Sequence, residues 1–303
     1  MDIRLLRYFM EVAQELNITR AAENLHMAQP PLSRQIQLLE QDLGVSLFSR
    51  EKRHLRLTEE GELLKHRAEQ ILTLVEKTES EIREYRHGVS GTLYIGSVEG
   101  RGPYLLSRWI AGFRSRYPEV QYNLWNGSSD DVTSRLNKGL CDLALIVEPF
   151  DNEHFESLPV SSEPWAAMIP ENHPLAGKEG GIVCLKELVG EPLIIPSRKS
   201  RTQEIIGWFS RIGEEPTILC ELSHFLNAFE LVKQGVGIAI FPASTGMNIQ
   251  SEMVVTKRIV NPEHFANYVL VWDRVRKLPT AAEKFMEYVR EEWRDGDEEA
   301  DES

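Results

Sequence analysis

Residues 28–50 read AQPPLSRQIQLLEQDLGVSLFSR, and the spacing within this stretch decides the N-terminal architecture. Pro30 and Pro31 stand where proline is tolerated, in the first turn of a helix whose early amides lack intrahelical partners anyway. The helix they open is predicted to run from about Gln29 to Leu43 and to stop at Gly44. Leu32, Ile36, Leu39 and Leu43 lie 4, 3 and 4 residues apart and form one apolar stripe. Arg34, Gln37 and Pro30 project almost opposite to it, with Gln29 and Ser33 toward the flank. Such a face can read base edges, because Arg forks onto guanine, Gln pairs bidentately with adenine and Ser donates or accepts. An ordinary solvated helix face has a similar composition, so the flanking sequence must decide between the two.

Upstream, Leu5, Leu6, Phe9, Val12 and Ala13 fall at helical spacing and give a first helix with one buried face. Thr19 is the expected N-cap of a second helix, with Glu23 in its first turn and Ala21, Ala22 and Leu25 compact enough for close helix approach. His26, Met27 and Ala28 form the turn. Downstream, Ser49 to Thr58 (SREKRHLRLT) sets Arg50, Lys52, Arg53 and Arg56 against Glu51 alone, a local charge of +3 over seven residues. Leu55 and Leu57 alternate there as in a β-wing, which would clamp phosphates beside the reading helix and hold its register.

With this helix, the basic wing and the following LTEEG (residues 57–61), residues 1–60 resemble the winged helix-turn-helix of LysR-type transcriptional regulators. The resemblance continues at lower specificity to about Trp293, and the N-terminal segment is most similar to regulators of aromatic-compound catabolism. It implies DNA contacts from Gln29, Pro30, Ser33, Arg34 and Gln37 on the third helix and from Arg50 and Arg53 on the wing.

The whole chain of 303 residues carries a net charge of −13, which by itself argues against a polyanionic partner. Distribution matters more. Residues 1–57 hold eight Lys and Arg against seven Asp and Glu, whereas the last ten residues hold six acids and one Arg and should form a solvated tail over 295–303. The first twelve residues read as an amphipathic helix and lack the basic, apolar, small-residue order of a signal peptide. No apolar run reaches the roughly 18 residues of a membrane span, so no membrane partner is expected. Cys141, Cys184 and Cys220 are too scattered for zinc or a redox pair, which suits a reducing cytoplasm, and no cofactor is implied.

From Thr58 to about His87 the chain lacks proline, and Leu57, Gly61, Leu64, Ala68, Ile71, Val75, Thr78, Ile82 and Tyr85 follow a strict 4,3 spacing. That is a heptad seam. A helix this long with one apolar stripe is expected to pair with its copy in a second chain, through Leu64, Ala68, Ile71, Val75 and Ile82; the alternative is packing onto its own C-terminal domain. A homodimer would set two reading heads on a two-fold related site, and the resemblance extends this to tetramers. His87, Gly88, Ser90 and Gly91 mark a hinge, dividing the chain into 1–58, 59–90 and 91–294 ahead of the tail.

Beyond Thr92 strands alternate with helices: Leu93–Val98, Tyr104–Tyr117, Val120–Trp125, Asp130–Leu140 and Cys141–Val147, then a second set from Pro192 to Pro242. The fold class is therefore α/β, with parallel sheets. Gly235-Val236-Gly237 precedes a strand, so it reads as a turn and not as a nucleotide loop. The resemblance implies a two-lobed, periplasmic-binding-protein-like domain in which strands near Glu163–Ile169 and Tyr268–Trp272 cross between lobes. Lobe I would then be 91–161 plus 268–294 and lobe II 162–267.

Ligands settle beyond the carboxyl ends of such strands. These ends nominate Gly100, Arg101, Ser128, Ser129, Ser197, Arg201, Thr202 and Phe225 for a small-molecule effector, with the arginines available to a small organic anion. Ser and Thr also cap helices without any ligand. In relatives that bind aromatic acids the position of Gly100 often carries a hydroxyl residue, and Glu99 beside it adds a negative charge; both depart from that pattern.

An enzyme would need a catalytic motif, and the sequence carries no G-x-S-x-G, H-E-x-x-H or Walker loop. A solute-binding transport protein would share the two lobes but not residues 1–87. The order of reader, dimer helix and sensor predicts that ligand closing the cleft re-angles the reading heads and alters DNA bending and RNA polymerase recruitment.

Overall fold

Asp2 accepts a hydrogen bond from the Arg4 amide and so starts α1 (Ile3–Glu15), whose Leu5, Leu6, Phe9, Val12 and Ala13 are all buried. The computed structural model describes residues 2–51, 54–84, 89–150, 153–247 and 252–301. They belong to two units, Met1–Arg86 and His87–Ser303.

In the first unit α2 (Ile18–Asn24) is capped by Asn17, not by Thr19 as expected: the Asn17 Oδ1 accepts from both the Thr19 and Arg20 amides. After a turn in which His26 takes a positive φ, α3 (Gln29–Leu43) begins with its two prolines and ends at Gly44, whose φ of +70° suits a glycine. Leu32, Ile36 and Leu39 are buried against α1, Ala21 and Ala22. The stripe stops there, because Leu43 is exposed. β1 (Phe48–Glu51) and β2 (His54–Leu57) form an antiparallel hairpin. Glu40 on α3 accepts from the Leu47 and Phe48 amides, tying the base of this hairpin to the helix.

The Thr58 hydroxyl accepts from the Gly61 amide and donates to the Ser46 carbonyl, starting α4 (Glu59–Glu84). Gly61 lies so close to the hairpin base that a Cβ there would collide with the Leu47 carbonyl oxygen. This corrects the reading of α4 as a free heptad seam. Ala68 is fully buried in the first unit's core, and Leu64 and Ile71 pack against that core. The apolar stripe of the N-terminal half is thus covered by the chain's own α1, while Ile82 remains 66% exposed. Val75 is half-buried, and Tyr85 and His87 fall outside the described residues.

The second unit is built on β3 (Gly91–Ser97), α5 (Gly102–Arg116), β4 (Val120–Asn126), α6 (Ser129–Asn137), β5 (Leu143–Val147) and β6 (Phe155–Pro170). It continues with β7 (Ile182–Cys184), β8 (Leu193–Pro196), α7 (Lys199–Arg211), β9 (Ile218–Leu222), α8 (Phe225–Lys233) and β10 (Ile238–Pro242). α9 (Ala243–Met247), β11 (Val254–Val260), β12 (Phe265–Asp273) and α10 (Thr280–Asp301) complete it. The strand order is β4-β3-β5-β12-β6-β10-β8-β9, with β11 also on β6 and β7 on β11. Gly235 takes a positive φ in the turn before β10.

One strand carries the sheet across both lobes. Residues 155–164 of β6 pair with β12, and residues 165–170 pair with β10 and β11. Lobe I therefore holds β3, β4, β5, β12 and the start of β6, and lobe II holds the end of β6 with β7–β11. β12 pairs over its whole length with β6 and partly with β5, so it lies inside lobe I. The second crossing is the 261–264 connection and not, as expected, the strand at Tyr268–Trp272. α10 covers lobe I through Ala281, Ala282, Phe285, Tyr288 and Val289, with Phe285 edge-on to Phe113 at 5.1 Å. Its helical backbone runs on to Asp301, where the sequence suggested that order ends at residue 294. Among the described residues no helix is long and apolar enough to cross a membrane.

Candidate nucleic-acid interface and ligand cleft

α3 presents Gln29, Pro30, Arg34 and Gln37 exposed at the surface, with Ser33 half-buried at the flank. Its first turn carries no acid, and Ala28 supplies no capping side chain, so the positive end of the helix dipole is left for an outside anion. Among the described residues Arg34 has no ion-pair partner. The hairpin follows at once, with Arg50 opposite Leu55 and Ser49 opposite Arg56 in register. Arg53 and the side chain of Arg50 lie outside the described residues. A helix face with Arg, Gln and Ser free to bond, next to a hairpin braced by Glu40, has the parts that base reading and phosphate clamping need.

The second unit has a cavity of about 340 Å³ between its lobes. Of the residues nominated from sequence, Gly100, Ser128, Ser129, Ser197, Arg201 and Phe225 line it, and Arg101 and Thr202 do not. The Thr202 hydroxyl donates to the Pro196 and Arg198 carbonyls, a bond within lobe II. Arg101 stacks its guanidinium over Tyr104, 5.8 Å from the ring centre, and only its amide reaches the Tyr268 hydroxyl. Ser128 is engaged with Asp131 in a capping box at the start of α6, and the Ser129 hydroxyl meets the Val147 backbone.

Several lining residues were not nominated. Trp165 and Phe241 join the nominated Phe225 in giving the cavity apolar walls, and Tyr268 and Thr245 lie under Gly100. Gly100 has φ +83°, and a Cβ there would approach the Tyr268 hydroxyl to 3.1 Å and the Thr245 hydroxyl to 3.3 Å. Beneath that floor the buried Glu163 carboxylate accepts from the Tyr268 hydroxyl at 2.6 Å and from the Ser244 hydroxyl and amide. Burial, then Glu163, pushes the Tyr268 phenol well above its ordinary range, so it stays a neutral donor. Thr245 is 5% exposed, and among the described residues its hydroxyl has no hydrogen-bond partner.

Charged groups cross the cleft. Arg198, at the start of α7 in lobe II, holds Asp130 of lobe I at 2.8 Å and donates to the Val147 and Pro149 carbonyls. Arg201 is 6% exposed, pairs with Glu204 and donates to the Glu148 carbonyl of lobe I. Burial lowers the Arg201 guanidinium pKa from its ordinary value, and Glu204 works against that shift. From the other side Glu99 of lobe I accepts from the Phe225 amide, the first of α8, at 3.1 Å, and its second oxygen lies 3.1 Å from the His224 Nδ1. Arg198 and Glu99 are charged lining residues that were also passed over as site residues, although both stand at strand ends.

Comparison with known proteins gives the same division of the chain. Residues 3–62 match the model of the bacterial regulatory helix-turn-helix protein, lysR family, and residues 86–294 match that of the LysR substrate binding domain. The chain is 31% identical over 292 residues to the HTH-type transcriptional regulator BsdA of Bacillus subtilis, covering 95% of this chain and 99% of that one. It is 30% identical to the Hca operon transcriptional activator HcaR of Escherichia coli, covering 96% and 98%. Among solved structures, full-length CbnR bound to its target DNA superposes with a TM-score of 0.76 at 27% identity, over 96% of this chain and 99% of that one.

Proposed function

The chain belongs to the LysR family of DNA-binding transcriptional regulators, and from that premise we propose how its parts divide the work. α3 enters the major groove and reads bases with Arg34, Gln37, Ser33 and Gln29, while Pro30 seats its first turn and the wing, with Arg50 and Arg53, holds phosphates. The observation that carries this is the exposed polar face of α3, without an ion pair on Arg34 among the described residues, opposite the buried Leu32, Ile36 and Leu39. Two copies associate through the C-terminal half of α4, around the exposed Ile82 and the half-buried Val75, as a homodimer at least and a homotetramer in the family pattern. The protein works in the cytoplasm, where the operator is.

The cleft of the second unit takes the small-molecule effector, between Gly100, Ser197, Trp165 and Phe225. Its lobes are bridged by side chains that a ligand can displace or join. Ligand binding therefore has a route to different relative stabilities of two domain arrangements, which coupling to DNA and to RNA polymerase requires. No step of this calls for catalysis, and the family is not an enzymatic one.

Capture of genomic fragments by the full-length protein, followed by DNase footprinting, tests the reading. A two-fold symmetric footprint with half-sites about one helical turn of DNA, or a multiple of it, apart is expected. Protection of a single, asymmetric half-site would remove the dimer from the proposal.

A further inference from the structure

The cleft's own chemistry limits what it admits. α8 starts at Phe225 with no side-chain cap from its own segment, and the partial positive charge of its first turn faces lobe I. A ligand carboxylate would be favoured there. The place is already taken: Glu99, 126 residues away in sequence, puts one carboxylate oxygen on the Phe225 amide and the other beside His224. The two guanidinium groups of the lining are engaged as well, Arg198 with Asp130 and two lobe I carbonyls, and Arg201 with Glu204 and the Glu148 carbonyl. Acids outnumber them at the walls, with Glu99, Asp130 and Asp131 in the lining and Glu163 directly behind Tyr268. One polar group on the floor is idle, the Thr245 hydroxyl, which is 5% exposed and, among the described residues, without a partner. A buried hydroxyl left unpaired is costly, and a ligand group that bonds it removes that cost.

We propose that Glu99 is a built-in substitute for a ligand's carboxylate, latching lobe I onto the start of α8 and restricting the cleft to small, largely apolar ligands that carry no anion. Such a ligand seats its ring or chain on Trp165, Phe225 and Phe241 and sets an uncharged or cationic hydrogen-bonding group on Thr245. This replaces the organic anion suggested by the arginines in the sequence, and it rests on the reading of the cleft as the effector site.

The test uses thermal unfolding and calorimetric titration of the full-length protein and its Glu99→Ala and Glu99→Gln variants, in acetate and in chloride at equal ionic strength. Glu99→Ala is expected to melt lower than wild type in chloride and to recover in acetate, because a carboxylate that binds the vacated place stabilises the folded state by mass action. Wild type is expected to melt alike in both salts. Glu99→Gln, which keeps an acceptor for the Phe225 amide, is expected to fall between them and keeps the test open if the alanine variant misfolds. In the same samples benzamide is expected to bind wild type on the order of tenfold or more tightly than benzoate, since like charges brought together are disfavoured. Glu99→Ala should narrow or reverse that preference. Benzoate binding wild type as tightly as benzamide, or acetate shifting wild type as far as the alanine variant, would overturn the inference about charge and leave the effector cleft standing. Neither aromatic probe binding any of the three proteins would overturn the inference together with the effector reading on which it rests.

Discussion

Arg34 on α3 and Arg198 at the start of α7 are the same residue type in opposite situations. Arg34 is exposed and, among the described residues, unpaired; Arg198 is mostly buried and holds Asp130 and two backbone carbonyls across the cleft. The α3 face leaves the Arg34 guanidinium exposed to an outside partner. The cleft satisfies its charges internally, so a ligand there must fit among bonds that already exist. A surface built for an outside polyanion and a cavity that completes itself respond to substitution in different ways.

The largest expected effect tests the first half of that contrast. Arg34→Ala should reduce specific operator affinity by about 1–3 kcal/mol, the worth of a bidentate base contact, measured by titration on the footprinted site at fixed salt. Because the Arg34 side chain is exposed and has no ion pair among the described residues, the melting temperature should not move. A variant that loses stability together with affinity would show Arg34 to be a structural residue and would erase the contrast.

Arg198→Ala should do the reverse at smaller cost. It removes hydrogen bonds from a charged donor to Asp130 and to the Val147 and Pro149 carbonyls. Its partner Asp130 is 67% exposed and rehydrates, so about 1–2 kcal/mol is expected. Chemical unfolding of the second unit's transition should register it, while affinity for the operator in the absence of any added small molecule stays within twofold, a change of roughly 0.4 kcal/mol. Unchanged stability would mean that the inter-lobe bridge is not holding the lobes.

The same contrast explains what the sequence could tell. Periodicity is local, so the face of α3, its prolines, the Gly44 stop and the hairpin all stand within thirty residues of one another and were legible. The cap of α2 was misplaced because Asn17 and Thr19 are both good caps, and only the geometry shows that Asn17 reaches two amides. The α4 stripe was legible as apolar but not as to its partner, since Ala68 and Leu64 suit a coiled-coil seam and a packed core equally well. β11 was passed over because Lys257 interrupts VVTKRIV, and only the fold supplies the Lys178 carbonyl to which that buried ammonium donates. Cleft pairings were out of reach, with Arg198 and Asp130 68 residues apart and Glu99 and Phe225 126 apart. Strand ends point to a site, but which of their side chains meet depends on how two lobes close.

The smallest effect concerns how far the cleft's self-contained character extends. His264 lies in the second crossing between lobes and stacks on Trp208 at 4.0 Å, and Trp208 meets Trp165 of the cleft wall edge-on at 5.2 Å. Burial first, and then Arg211, lowers the His264 pKa from 6.5 to about 4. Between those two values the unfolded chain takes up a proton that the folded chain refuses, so stability falls as pH drops through 6.5 toward 4 and is retained in full above it. His264→Phe keeps a ring on Trp208 and removes the titration. Its unfolding free energy should therefore depend less on pH across that window than wild type's, with the two curves parallel above it. Curves parallel throughout would place the His264 proton equilibrium outside the folding reaction and leave the ring stack as packing alone; a difference confined to the window would tie the stability of the fold to the neutral His264 ring held against Trp208.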